Sequence, residues 1–212
     1  MSSFIIIAGP QAAGKTTIIS RLKAERLKSL SESKSDKPLF ALQESRQIIV
    51  HKNLIVGGVF MEKKDEEEVV ACDLSRMDKI LAKNGRPVVY LDECNIFTVA
   101  HAKAHGCREV EKFAAQYLER LAELGAAIIF LDISPAMSWR RREASYRERL
   151  VYFYPKQHDV IMERFREYLS ELYDHLWRLY YDMPFPKVVI DASGNRDRVY
   201  AKVKKEVARF SE

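Results

Sequence analysis

Cysteine is scarce in this sequence, and the three that occur, Cys72, Cys94 and Cys107, form no CxxC pair. Their odd number argues against a disulfide framework, so we expect a reducing compartment. Long apolar runs are also missing. The apolar stretch near the start, within MSSFIIIAGP, is too short for a membrane span and lacks the basic segment that precedes a signal-peptide core. These absences predict a cytoplasmic protein with no membrane partner.

Internal repeats, low-complexity tracts and domain linkers are absent as well. The length of 212 residues predicts one compact domain over 1–212. Because 47% of the residues are hydrophobic and 31% are charged, the chain is expected to be globular rather than disordered. The net charge of +5 suits an anionic partner such as a nucleotide. It permits nucleic acid as a partner without requiring it.

Apolar runs alternate with helical patterns along the chain. Phe4–Ala8 is rich in β-branched residues, as expected of a buried parallel strand. Further strands are predicted at 39–43, 88–91, 126–133 and 187–190, with helices between them. The fold class predicted from this order is α/β, with a five-stranded parallel sheet and helices on both faces.

Breaker residues mark where several of these elements stop. The polar segment Ser31–Pro38 predicts a loop, and the Gly57-Gly58 pair interrupts the segment after the second strand. A helix predicted over 62–82 is followed by a stop signal in 84–87, which contains glycine and proline. Ser134 and Pro135 together predict the start of another helix, with a capping side chain and a first-turn proline.

The segment Gly9–Thr16 fits the phosphate-binding motif G-x-x-x-x-G-K-[ST] in full, between a predicted strand and a predicted helix. Its glycines let the backbone curl so that N–H groups face an anion, and the helix N-terminus adds positive potential. Lys15 is expected to reach the β- and γ-phosphates of MgATP, and Thr16 to ligate Mg²⁺. Thr17 is expected to contact the α-phosphate. The predicted nucleotide-binding residues here are Gly9, Gln11, Ala12, Ala13, Gly14, Lys15, Thr16 and Thr17.

Two acids, Asp92 and Glu93, follow the third predicted strand. Ligands of doubly wound sheets sit beyond the carboxyl ends of the strands, so an acid there can support the Mg²⁺ ion. We assign that role to Asp92, with helix capping as the alternative. Glu93 is a candidate for contacting the substrate, where it could polarise a nucleophile.

Glu44 and Arg46 follow the second predicted strand and are expected to face the same crevice. Glu44 could accept a proton from an attacking hydroxyl, and Arg46 could hold an anionic or transferring group. The alternative is a helix-start acid followed by a solvated arginine. The sequence leaves open whether Glu44 or Asp92 is the general base.

Five arginines occur within residues 140–149. On a helix, Arg142 and Arg149 share one face with Tyr146, while Arg140 and Arg147 lie near each other on another face. One interpretation is a lid, at about 138–155, whose arginines neutralise charge on the transferring phosphoryl group. The alternatives are a solvated charged helix and a patch for nucleic acid.

Metal-ligand patterns other than the magnesium site are weak. His101 and His105 have i,i+4 spacing, but no HExxH motif or cysteine partner accompanies them in the sequence. A structural zinc ion is therefore not expected.

The motifs, taken in chain order, resemble the P-loop nucleoside and nucleotide kinases, most of all the thymidylate kinase and deoxynucleoside kinase group. Some also resemble nicotinamide riboside kinase-like domains. The segments that carry the resemblance are Gly9–Thr17, Glu44 with Arg46, LDISPAMSWRRR at 131–142, and IDASG at 190–194. The resemblance implies a three-layer P-loop fold and a homodimer as one assembly state. It also implies that Ala192, Ser193 and Gly194 line the adenine, and that Arg140, Arg141 or Arg147 act from the lid.

The favoured function is an ATP-dependent phosphotransferase acting on a nucleoside, nucleotide or related small acceptor. A nucleotide switch or regulatory ATPase with a macromolecular partner is the alternative, although the sequence has no NKxD motif. A kinase acting on nucleic-acid ends is a third possibility.

Overall fold

A computed structural model of the chain describes residues 3–30, 38–53, 61–83 and 88–212. The predicted features at 31–37, 57–58 and 84–87 lie outside these described residues. The helices and strands, in chain order, are β1 (Phe4–Ala8), α1 (Lys15–Leu30), β2 (Leu39–Leu42), α2 (Ser45–Lys52), α3 (Lys63–Leu81), β3 (Val89–Glu93), α4 (Thr98–Ala104), α5 (Ala114–Glu123), β4 (Ala126–Asp132), α6 (Pro135–Phe153), α7 (His158–Asp182), β5 (Lys187–Asp191) and α8 (Arg196–Ser211). Short 3-10 turns at Asn95–Phe97 and Arg108–Phe113 flank α4.

The five strands form one parallel sheet in the order β2-β3-β1-β4-β5. The strand order reverses at β1, because β3 lies on one side of it and β4 on the other. In open α/β sheets such a reversal opens a crevice at the carboxyl ends of the strands, where ligands bind. The loop after β1 is therefore placed at the position that the fold favours for a site.

Helices cover both faces of the sheet, as predicted. Alternate residues of β1 point to opposite faces, so Ile5 packs with α1 and α8, while Ile6 packs with the other helices. The core beneath α1 and α8 includes Ile19 and Val203, both of which are buried. The near-continuous apolar strands are those of a parallel sheet buried on both sides.

Local sequence explains the start of α6 as the motif predicts. The Ser134 side chain accepts a hydrogen bond from Met137 N at 3.2 Å, and Pro135 occupies the first turn. The helix ends at Phe153, and α7 begins at His158 after a short turn. No helix within the described ranges has both the length and the apolar character needed to cross a membrane.

Two elements differ from the sequence prediction. The third strand was predicted to end at Leu91, but β3 continues to Glu93, because Asp92 and Glu93 pair with Ile6 and Ile7 of β1. The helix α2 was not predicted, since it has only eight residues and carries a weak apolar pattern. Both differences affect the site, because they set the direction of Glu44, which follows β2, and of the two acids that end β3.

Candidate functional site

The loop between β1 and α1, Gly9–Gly14, which we call the phosphate loop, has the backbone conformation that its glycines predict. Gly9 has a φ of 136°, and a Cβ atom there would lie 2.2 Å from the carbonyl oxygen of Leu131 in the neighbouring strand. Gly14 has a φ of 95°, a backbone conformation that residues other than glycine rarely adopt. Ala12 also has a positive φ, of 61°. The tight curl therefore depends on glycine at the two ends of the loop.

Lys15 and Thr16 begin α1 and lie at the inner side of this loop. Lys15 is 7% exposed, and its Nζ donates to the carbonyl oxygens of Gly9 and Pro10 at 3.0 and 3.1 Å. Thr16 donates from Oγ1 to Glu93 Oε1 at 2.6 Å. A positive amine, a hydroxyl and a carboxylate thus meet at a helix N-terminus, which is a combination suited to a phosphate group with a divalent cation.

Glu93, not Asp92, is the acid that faces the phosphate loop, which corrects the sequence assignment. Successive side chains of a strand point to opposite faces, so only one of the two can reach Thr16. Asp92 is fully buried on the other side, where its Oδ2 accepts hydrogen bonds from Arg76 at 2.9 Å and from Asn95 at 2.8 Å. The role predicted for Asp92 at the metal is therefore better suited to Glu93.

Glu44 lies between β2 and α2 and lines the same cleft as Lys15 and Glu93. It occupies the N-cap position of α2, as the structural alternative predicted, but its side chain makes no capping hydrogen bond. Burial raises the pKa of Glu44 to about 7; Lys15 opposes this shift and the negative charge of Glu93 adds to it. A carboxylate with a pKa near neutral pH is suited to proton transfer.

Arg46 lines the cleft but is not solvated, unlike the alternative predicted for it. Its guanidinium forms a two-pronged ion pair with Glu66 of α3, one arm of which measures 2.7 Å. Burial disfavours the charged form of Glu66 and raises its pKa. The neighbouring Arg46 and His105 outweigh this effect and hold the pKa of the carboxyl at about 2. The His105 ring contacts Glu66 through Nδ1 at 2.7 Å and stacks on Tyr168 of α7.

These residues divide the cleft into two regions. The loop side contains the phosphate loop with Lys15, Thr16 and Glu93. The histidine side is defined by Glu44, Arg46, His101, His105 and Tyr168. Together they enclose a cavity of about 1230 Å³, which is large enough for two small molecules side by side. The charge of Lys15 acts on Glu44, so the two regions meet near these residues.

The arginines of α6 lie on two faces of the helix, and only one of these faces lines the cleft. Arg142 and Arg149 line the cleft with Tyr146, whereas Arg140 and Arg147 do not. Arg140 donates to Met137 Sδ at 3.1 Å, and Arg147 lies 3.5 Å from Glu143 and from Asp159. The prediction of Arg140 and Arg147 as catalytic residues is therefore not supported by their positions, because their face of the helix turns away from the cleft.

Arg141 lies at the cleft but is bound to main-chain carbonyl groups. Its Nη1 donates to Ala12 O at 3.1 Å, and its Nη2 donates to the carbonyl oxygens of Ala192 and Ser193, both at 3.1 Å. It thus connects α6, the phosphate loop and the loop after β5. Nearby, Tyr146 donates to Gln11 Oε1 at 2.8 Å, and Ser138 donates to Gln11 O at 2.6 Å.

The loop after β5 brings the residues predicted for the adenine site to the cleft. Ala192 and Gly194 line the cavity, while Ser193 N donates to Asp191 Oδ1 at 2.8 Å. Asn195 caps α8 by accepting from Asp197 N and Arg198 N, which fixes the direction of this loop. The predicted position of this segment at the site is consistent with the geometry.

Three residues that line the cleft and one buried behind it were missed or given lesser roles in the sequence prediction. Arg142 and Arg149 could have been chosen, since helical spacing already set them apart from Arg140. Glu66 and Tyr168 could not, because only tertiary packing brings Glu66 of α3 to Arg46 and Tyr168 of α7 to His105. Neither follows a strand nor belongs to a motif.

No protein-family model matches the sequence, and no curated protein sequence is detectably similar to it. Among solved structures, the fold is similar to that of a deoxyadenosine kinase from M. mycoides with bound dATP. The alignment has a TM-score of 0.56 and 18% sequence identity, and it covers 97% of this chain and 99% of that chain. The likeness shows the fold alone, and the predicted parallel α/β fold of the P-loop kinases is confirmed.

Proposed function

We propose that this chain is an ATP-dependent phosphotransferase that moves the γ-phosphoryl group to a hydroxyl of a nucleoside or a related small acceptor. One observation carries the proposal. A phosphate loop with Lys15 and a carboxylate with a pKa near 7, Glu44, line one cavity of about 1230 Å³. Such an arrangement holds a nucleoside triphosphate on the loop side and an acceptor on the histidine side.

The residues at the loop fit a magnesium ion. Mg²⁺ prefers hard oxygen ligands and retains waters, and Thr16 Oγ1 with the Glu93 carboxylate offers hydroxyl and carboxylate oxygens at one place. Thr16 would bind the ion directly, and Glu93 would hold it or its waters. The ion would neutralise charge on the β- and γ-phosphates when it is bound.

The chain contributes mainly positioning and charge to the reaction. The main-chain N–H groups of the phosphate loop and the Lys15 amine bind the phosphate oxygens. Glu44 accepts the proton of the acceptor hydroxyl as that oxygen attacks the γ-phosphorus in line with the leaving β-phosphate oxygen. Arg142 and Arg149 approach from α6 and bind the oxygens of the transferring group, which lowers the free energy of the transition state.

Three features favour a nucleoside over a nucleoside monophosphate as the acceptor. The cation of the histidine side, Arg46, is already paired with Glu66. The carboxylate of Glu44, ionised when it acts as the general base, adds negative charge there, which repels an acceptor phosphate. The structurally similar protein is described as a deoxyadenosine kinase. A neutral ring stacked against aromatic groups such as Tyr168 fits this side of the cavity.

The test is ADP formation with MgATP across pooled nucleosides, nucleoside monophosphates and riboside vitamins. We expect a nucleoside pool to stimulate ADP formation above the solvent rate. Lys15→Ala should lower the stimulated rate by at least about 10²-fold, because one main phosphate ligand is lost. Lys23→Ala, an exposed lysine on the same helix, is the matched control and should retain the rate.

Other outcomes of this experiment contradict the proposal in distinct ways. Stimulation by monophosphates alone would make the chain a nucleotide kinase. No stimulation by any pool, with MgATP binding intact, would favour a regulatory ATPase with a macromolecular partner. Transfer to 5′-hydroxyl oligonucleotides alone would indicate a kinase of nucleic-acid ends.

Residues of α6 within about 138–155 act in this proposal as a lid that closes over the phosphates. Within the described part of the chain, no carboxylate forms an ion pair with Arg142 or Arg149. We expect Arg142→Gln to lower kcat/KM by roughly 10- to 100-fold, since a charge-assisted hydrogen bond contributes about 1.5–3 kcal/mol. Arg147→Gln removes the same charge from the outer face and should change kcat/KM less than about twofold. Equal losses in both variants would show a general charge effect in place of a lid contact.

A further inference from the structure

Three side chains that can bind metal ions meet on the histidine side of the cleft: Glu44, Cys94 and His101. One ligand atom from each lies within 4.8 Å of the other two. Cys94 Sγ is 3.4 Å from His101 Nε2. In tetrahedral zinc sites, bonds of about 2.3 Å to sulfur and about 2.0 Å to nitrogen hold these atoms about 3.5 Å apart. The pair is therefore spaced as two zinc ligands are.

The backbone at Cys94 holds its thiol in this cluster. Cys94 follows Glu93 at the end of β3 and has a φ of 82°, which is uncommon for a residue with a side chain. Conformations of this kind are strained and cluster at functional sites. The neighbouring 3-10 turn, Asn95–Phe97, is fully buried, so the conformation is fixed by its surroundings.

His101 is oriented by a second hydrogen bond. Its Nδ1 lies 2.7 Å from the Tyr168 hydroxyl, so that Nε2 is the atom directed at Cys94. Histidines that bind metal ions are typically held through the other ring nitrogen in this way. His101 lies on α4 and is 3% exposed, yet it lines the cavity, which provides an entry path.

We propose that Cys94 Sγ, His101 Nε2 and the Glu44 carboxylate form a binding site for a divalent cation of borderline or soft character, of the Zn²⁺ type. Three protein ligands of mixed sulfur, nitrogen and oxygen character select such an ion over Mg²⁺. A water molecule completes the four ligands. Binding releases the thiol proton of Cys94 to solvent.

A metal ion at this site would inhibit the enzyme, a consequence that rests on the proposed function. An ion bound to Glu44 prevents this carboxylate from accepting the acceptor's proton and fills part of the acceptor region. The phosphate loop is unaffected. Zn²⁺ is therefore expected to compete with the acceptor but not with MgATP. The site differs from the structural zinc that the His101–His105 spacing was considered for, because His105 is engaged with Glu66 and Tyr168.

The binding test uses the whole chain and Zn²⁺ itself, titrated against a chromogenic chelator in the presence of excess Mg²⁺. We expect one equivalent of Zn²⁺ per chain. Cys94→Ser and His101→Gln should each weaken binding by at least about 10-fold, and Tyr168→Phe should weaken it through the lost orienting contact by about 10-fold. Cys107→Ser removes a buried thiol outside the cluster and is the matched control.

Cobalt provides a second measurement that needs no variant. Co²⁺ bound to the unaltered chain should show thiolate-to-metal charge-transfer absorption in the near ultraviolet and the intense visible bands of a tetrahedral site. Lack of that absorption, or Zn²⁺ affinity unchanged in Cys94→Ser, would overturn the proposal and leave a hydrogen-bonded thiol–imidazole pair. Both measurements detect metal binding and need no catalysis. Their outcome therefore tests the metal site independently of the kinase assay that tests the proposed function.

Discussion

Replacing Glu44 with glutamine is expected to lower kcat by about 10²–10⁴-fold while the chain stays folded. The reason is that Glu44 is the carboxylate that both lines the cleft and has a pKa near neutral pH. Glutamine keeps the size of the side chain and its contact with Gln47, but it cannot accept a proton from the acceptor hydroxyl. The measurement is single-turnover phosphoryl transfer to whichever nucleoside stimulates ADP formation most strongly.

The pH dependence of the rate provides a sharper form of this prediction. Burial raises the pKa of Glu44 to about 7, and the general base must be deprotonated to act. The wild-type rate should therefore rise with pH up to about 7 and level off above it. In Glu44→Gln this rise should disappear, since the group that titrates has been removed.

Glu68→Gln is the matched control, because it removes a carboxylate of α3 that pairs with Lys52 away from the cleft. It should keep both the rate and the pH profile. If Glu44→Gln retained the wild-type rate and its rise with pH, Glu44 would not be the base. The proposed mechanism would then need another proton acceptor.

Apart from α2, the order of strands and helices was predictable because each strand is a short apolar run and the longer helices between them have recognisable limits. The conformation of the phosphate loop was predictable for a related reason. Its residues are contiguous in the chain, so the motif itself determines the path of the backbone. The conformation of Gly9 follows directly from such local constraints. Sequence reasoning was accurate where the conformation of a segment depends on neighbours in the chain.

The assignment of Asp92 and Glu93 shows where such reasoning fails. Both acids follow an apolar run, and the prediction ended the strand before them. Because β3 extends through both, they alternate, and one faces the phosphate loop while the other faces the core. Which acid points in which direction depends on the pairing with β1, and composition alone does not specify that register.

Contacts between distant segments were beyond prediction for a physical reason. The Glu66–Arg46 pair joins α3 to α2, and the Cys94–His101–Glu44 cluster joins three separate elements. Each residue alone is an ordinary acid, base or thiol in its own helix or strand. Only the packed core removes water from these groups and gives them their chemistry.

Removal of the Asp92 carboxylate is expected to reduce the free energy of unfolding by about 3–5 kcal/mol. Asp92 is fully buried, and its Oδ2 accepts from Arg76 and Asn95. In Asp92→Ala, the guanidinium of Arg76 loses one of its two carboxylate partners and keeps Asp73 and the carbonyl oxygen of Gln43, while the Asn95 amide loses its Asp92 partner. Urea unfolding at pH 8 is the measurement, because burial raises the pKa of Asp92 to about 7 and the group must be charged for the comparison.

Asp78→Ala is the matched control, since it breaks an ion pair with Arg120 whose acid is more than half exposed. Exposed pairs contribute little, so this variant should lose less than about 1 kcal/mol. Asp92→Asn, which keeps an oxygen acceptor, should fall between the two. The folded fraction of Asp92→Ala should retain its magnesium dependence, whereas Glu93→Gln should require more magnesium for half-maximal rate. If stability were unchanged in Asp92→Ala and the magnesium requirement rose instead, Asp92 would regain the metal-binding role that we propose for Glu93.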